Sequence, residues 1–261
     1  TLEGALFAPD PALQTGPCPV VSMLPGGGAP VTSVEWAARR LAGSGSVVLV
    51  TRPAAGGSTA SYHLAAVSGI DFLASGANPV RGRSDTAAVG VAGWSLGARA
   101  LTRTQAEDPR VDALVAWDNL AVSDAGDEGS PACGNVPGTV YAPRVPALGQ
   151  ASETCTGKGA DAKKTAFLAW RAAEVPAMQV VFTGATHFLW SAAATERDHA
   201  VSHHYTQAWL DLWLKGDAAA RQRLLARGVN GEPPERLLSA RFRSAVYLAG
   251  ADCADLRAGC P

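Results

Sequence analysis

The chain has 261 residues, 47% of them hydrophobic, with 28 Gly and 17 Pro. That is enough apolar material for a sizeable core and a length suited to one α/β domain over residues 1–261, and it excludes a disordered chain. The balance of 22 basic against 23 acidic residues gives a formal charge of -1, so nothing builds the positive field that a nucleic-acid backbone or an anionic membrane demands. No apolar run approaches the roughly 18 residues of a membrane span.

In chain order, residues 18–24, 47–52, 88–93, 112–117, 145–149 and 177–182 read as short buried strands, β-rich and continuous rather than alternating. Between and after them, 33–42, 60–74, 96–106, 161–173 and 199–215 have helical spacing. The last carries Tyr205, Trp209, Leu212 and Trp213 and stops at Lys215-Gly216. Asp161 reads as the N-cap of 161–173. This alternation predicts a mostly parallel sheet with helices on both faces. The longest irregular stretch is 118–144. Its acidic residues Asp124, Asp127 and Glu128 lack the ligand spacing of a calcium loop and read as solvated charge.

The five cysteines bear on the compartment. Cys253 and Cys260 could staple a tail with little core of its own, Cys133 and Cys155 sit in loop-like stretches, and Cys18 is left over. Reduced, buried thiols in a cytosolic protein are the alternative. Thr1-Leu2-Glu3 lacks the regions of a signal peptide, so export would mean a signal already removed; a secreted protein is the expectation. No Cys or His spacing suggests zinc, and no metal or cofactor is expected.

The functional reading turns on Gly93-Trp94-Ser95-Leu96-Gly97. The buried run 88–92 leads into this G-x-S-x-G string and a helical pattern leaves it, which is the strand-turn-helix context of a nucleophile elbow. A serine on such a corner needs glycines two residues to either side to avoid collisions. It also needs an imidazole to take its proton as it attacks. His187, in Gly184-Ala185-Thr186-His187 after the last strong strand, is the expected base, with His63 the second choice; His199, His203 and His204 fall in a helical pattern. The acid that orients the base is expected at Glu153, after strand 145–149, with Asp118, at the end of 112–117, as the alternative. Two backbone donors should face the oxyanion: Leu96 N–H, directly after the serine, and Gly27 N–H in Pro25-Gly26-Gly27-Gly28. Trp94, Trp117 and Phe188 fall near these points and suggest an apolar or aromatic substrate pocket.

These residues resemble the α/β-hydrolase superfamily, and within it the secreted bacterial cutinases, PET-hydrolase-like polyesterases and dienelactone-hydrolase-like esterases. The elbow is similar to the polyesterase G-W-S-M-G, Leu24-Pro25-Gly26 to their oxyanion strand end, Trp117-Asp118 to their Trp-Asp pair, and Gly184-Ala185-Thr186-His187 to their G-x-S-H segment. The resemblance implies an α/β-hydrolase fold without a helical lid, with the family's first strand missing, and a Cys253–Cys260 disulfide. It also implies cofactor-free ester hydrolysis through an acyl-enzyme, with Trp117 lining an aromatic subsite. The family's catalytic Asp segment is replaced here by Ser152-Glu153-Thr154-Cys155. The expected substrate is a small or polymeric ester and the expected state a monomer. The competing readings are an inactive scaffold binding an aromatic ligand or partner, and a peptidase or C–C hydrolase with the same triad.

Overall fold

The computed structural model describes residues 2–54, 57–118, 120–124, 138–154, 159–249 and 251–260. Its centre is a nine-stranded sheet. The strands are β1 (Leu2–Phe7), β2 (Cys18–Leu24), β3 (Val47–Pro53), β4 (Ser84–Trp94), β5 (Val111–Trp117), β6 (Ala147–Ala151), β7 (Ala177–Val181), β8 (Ala245–Leu248) and β9 (Ala251–Cys253). They lie in the order β1-β3-β2-β4-β5-β6-β7-β8-β9. Strands β3 through β7 run parallel to one another and to β2. The antiparallel strands are at the edges, β1 on one side and β8 with β9 on the other.

The central strands contain continuous apolar runs because both faces are covered. In β2 every residue is buried, and its side chains alternate: Val21 and Met23 enter one core while Val20 and Leu24 enter the other. The first core is closed by α1 (Glu35–Gly43), α5 (Glu196–Leu214), α6 (Ala218–Leu225) and the short α7 (Pro234–Leu237). The second is closed by α2 (Thr59–Ala74), α3 (Leu96–Glu107) and α4 (Thr165–Ala172). This is the expected α/β-hydrolase arrangement of a mostly parallel sheet between two helical layers.

Helix α5 starts before the expected residue because Thr195 and Asp198 form a reciprocal capping box. Helix α4 starts later than expected. Asp161 is not its N-cap; it pairs with Lys164 at 2.8 Å, and the cap position is Lys164 itself.

The chain leaves β2 toward β3 on one side and returns from β3 past β2 to β4 on the other. The carboxyl ends of β2 and β4 therefore flank the point where strand order reverses, which is where crevices open in such sheets. The loop beginning at Pro25 and the corner at Ser95 both lie there. Between β5 and β6 the described residues hold no helix. Ser123 and Val140 form an isolated bridge, and Tyr141 donates to the Asp124 carboxylate at 2.9 Å. Asp127, Glu128, Cys133 and Cys155 lie outside the described residues.

Cys253 and Cys260 form a disulfide, and Cys18 is a free, buried thiol. No helix among the described residues is long and apolar enough to cross a membrane.

Candidate active site

Ser95 sits between the last residue of β4 and the first of α3, at φ 57 and ψ -118. A left-handed backbone at a residue with a Cβ costs about 1–3 kcal/mol and persists only where the surroundings hold it. Here Ser95 N donates to Trp117 O at 2.9 Å and Ser95 O accepts from Arg99 N at 3.1 Å. The two motif glycines permit the corner. A Cβ on Gly93 would stand 2.8 Å from the Gly97 carbonyl carbon, and one on Gly97 would stand 2.5 Å from Pro25 O. Ser95 remains partly exposed at this corner.

His187 follows β7 and opens a 3₁₀ turn, His187–Trp190. Its loop is tied to the elbow by Trp94, whose Nε1 donates to His187 O at 3.0 Å and whose ring lies 5.4 Å from the imidazole. The residue preceding the serine thus holds the residue bearing the imidazole.

The carboxylate on His187 Nδ1 is Asp118, at 2.7 Å, with its side chain 1% exposed. Asp118 follows β5 at φ 47. Its backbone N donates to Gln150 O at 2.8 Å, and Oδ1 accepts from both Ser152 N and Ser152 Oγ at 2.9 Å. With its lone pairs on Ser152 and His187, this buried carboxylate is satisfied as an anion. It fixes Nδ1 as the imidazole's donor and leaves Nε2 free to accept.

Glu153 does not reach the imidazole. Its Oε2 accepts from Gly184 N at 2.8 Å, its Oε1 accepts from Ser239 Oγ, and its N donates to Ala185 O at 3.1 Å. β6 runs on to Ala151; after it Ser152 turns to Asp118, while Glu153 braces the back of the His187 loop.

The aromatic expectations divide. Trp117 is wholly buried; its Nε1 donates to Thr206 Oγ1 at 3.2 Å and it stacks on Trp36. It cannot line a pocket, because Ala113, Val115 and Trp117 all project into the core beneath α1 and α5. Trp94 is also buried and acts as the brace described above. Phe188 is 62% exposed and its ring lies 5.5 Å from that of His187. A cavity of about 380 Å³ lined by Thr186, Phe188, Leu189, Ala193, Arg236 and Leu237 among others opens behind the His187 loop. Ser95 and His187 are not among its lining residues, so it is not the crevice at the elbow.

Gly27 is exposed in the turn after β2, and a Cβ there would stand 3.1 Å from Leu96 Cδ2. The two candidate oxyanion donors are therefore on neighbouring residues of different elements. Two residues missed in the sequence support the site: Ser152, which holds Asp118, and Tyr62, whose hydroxyl contacts the Gly26–Gly28 turn.

His63, the second choice as base, lies on α2 with its ring against α3. Its Nδ1 contacts Thr104 Oγ1 at 3.0 Å, its Nε2 is 3.4 Å from Glu107, and burial lowers its pKa. His199 stacks on Trp36 and donates to Ser191 O. Among the described residues no group of three or more His, Cys, Asp or Glu is disposed to hold a metal ion.

A family model of PET hydrolase-like proteins (PETase) matches residues 3–124. The match takes in the Gly26–Gly28 turn, the Ser95 elbow and Asp118, and it supports a hydrolase acting on esters. No curated protein matches the chain.

Proposed function

We propose that this α/β-hydrolase is a serine-dependent carboxylic ester hydrolase working through an acyl-enzyme on apolar or aromatic esters. The reading rests above all on the 2.7 Å contact of Asp118 with His187, on a loop that Trp94 ties to the strained Ser95 corner. Ser95 Oγ attacks the ester carbonyl while His187 Nε2 takes its proton. Asp118 keeps the imidazole in the productive tautomer and stabilises the imidazolium. Gly27 N–H and Leu96 N–H carry the oxyanion, where the start of α3 adds a favourable field. The tetrahedral intermediate collapses as the imidazolium returns its proton to the leaving alcohol. Water, deprotonated by the same Nε2, then releases the acid and regenerates Ser95.

Among the described residues, Phe188 is an exposed aromatic surface beside His187, with Leu96 at the elbow, and the buried Trp117 supplies no aromatic wall to the site. Short-chain or single-ring esters fit it better than a long polymer segment. The Cys253–Cys260 disulfide suits an oxidising, extracellular setting.

The expected result with nitrophenyl butyrate is steady turnover after a burst approaching one equivalent of nitrophenol per chain, with the matching anilide at least about 100-fold slower. Faster turnover of the anilide or of a β-diketone than of the ester would move the reaction to a peptidase or C–C hydrolase. No turnover of any of them would leave a binding scaffold.

A further inference from the structure

Tyr62 is a buried polar residue that the proton-transfer scheme leaves without a task. It lies on α2 with its ring 1% exposed in the core between that helix and the sheet. Its hydroxyl reaches the turn after β2, donating to Gly26 O at 2.9 Å and accepting from Gly28 N at 3.2 Å. One proton and one lone pair satisfy both contacts. The two bonds therefore grip the turn on either side of Gly27.

The geometry of the peptide unit gives this grip a consequence. Gly26 C=O and Gly27 N–H belong to one planar trans unit, so the two bonds point in opposite directions. Tyr62 draws the Gly26 oxygen inward, and Ala29 N shares that oxygen at 3.0 Å. Gly27 N–H must then point outward, away from the helix. The Gly28 bond holds the next peptide unit, whose residue has φ +70, a conformation that glycine adopts at little cost. The turn also sits hard against the elbow: a Cβ on Gly26 would stand 2.9 Å from the Trp94 ring and one on Gly27 3.1 Å from Leu96. Any drift of the turn thus changes where Gly27 N–H points relative to Leu96 N–H.

We infer that Tyr62 is a positioning residue for the oxyanion hole: its hydroxyl clamps the 26–28 turn so that the Gly27 and Leu96 amides face one point. The inference rests on the ester-hydrolase reading above. Tyr62→Phe keeps the ring and removes the clamp. The expected result is a kcat lower by about 10- to 100-fold, less than the loss on deleting an oxyanion donor outright, with KM within about threefold of the unaltered protein. The more telling readout is the preference for a nitrophenyl ester over its thionoester, whose sulfur is a poor hydrogen-bond acceptor. That preference should fall by a similar factor, whereas a residue that merely supports the fold would lower both substrates alike.

Unchanged kcat, or equal losses on ester and thionoester, would overturn the inference. If Tyr62→Phe does not fold, amide exchange in the unaltered protein reads the same clamp. Gly28 N–H should exchange more slowly than Gly27 N–H, and equally fast exchange of both would also overturn it. An unaltered protein with no Ser95-dependent turnover would instead sink the ester-hydrolase reading, and this inference with it.

Discussion

Ser95→Ala is expected to lower kcat for nitrophenyl butyrate by about 10⁴- to 10⁶-fold while leaving thermal unfolding within a few degrees of the unaltered protein. The size of the loss follows from the residue's place in the scheme. Without Oγ no acyl-enzyme forms, and what remains is whatever the oxyanion donors and substrate binding give to attack by water. The fold should survive because the contacts that hold the corner are made by backbone: Ser95 N to Trp117 O and Arg99 N to Ser95 O. Gly93 and Gly97, whose missing Cβ atoms make room for the turn, are untouched. Activity within about tenfold of the starting value would take the nucleophile away from Ser95. A large drop in unfolding temperature would leave the kinetic loss open to a structural explanation, so both quantities are to be measured on the same preparation.

Replacing the two candidate acids should separate them by a wide margin. Asp118→Asn is expected to lower kcat by about 10³- to 10⁴-fold, since an amide in place of the carboxylate allows the wrong imidazole tautomer and removes the charge that stabilises the imidazolium. Glu153→Gln is expected to lower kcat by less than about tenfold, with its main effect on stability. Its carboxylate accepts from Gly184 N and Ser239 Oγ, so the change slackens the back of the His187 loop without touching the ring. Ser152→Ala should fall between the two, because Asp118 would lose the hydroxyl donor and keep Ser152 N. Paired measurements of kcat and unfolding temperature on the three variants distinguish the roles. The opposite ranking, with Glu153 the more costly for kcat, would restore it as the acid.

What the sequence could and could not reveal follows the physics of each element. The central parallel strands are buried on both faces, so their apolar runs stand out from the flanking turns, and the corner at Ser95 has a spacing that steric crowding enforces. The edge strands β1, β8 and β9 were missed because they are short or half-exposed and lack that continuous pattern. The acid was expected one strand too far along the sheet: Glu153 follows β6 and reads as a strand-end carboxylate, but the residue after β6 that turns to the site is Ser152, and the carboxylate it holds comes from the end of β5. Asp118 had a legible signal, as the residue ending the strand directly beside the nucleophile's own strand. The role of Trp117 failed on the period-two alternation of β5, which sends it into the same core as Ala113 and Val115. Tyr62 could not be picked out at all: a tyrosine on a helix reads as core packing, and its hydroxyl partners belong to a glycine turn more than thirty positions upstream.

The central claim is that a reactive hydroxyl, an imidazole and two amide donors converge at the Ser95 corner, and reaction with a nitrophenyl alkylphosphonate reads it directly. The phosphonyl group mimics the tetrahedral intermediate and transfers only to a nucleophile whose base and oxyanion donors are in place. Intact-mass and peptide-level mass spectrometry should find one adduct per chain, on the peptide bearing Ser95, with labelling slowed severely by Asp118→Asn. An unmodified chain after prolonged exposure, or an adduct on a different side chain, would contradict the account.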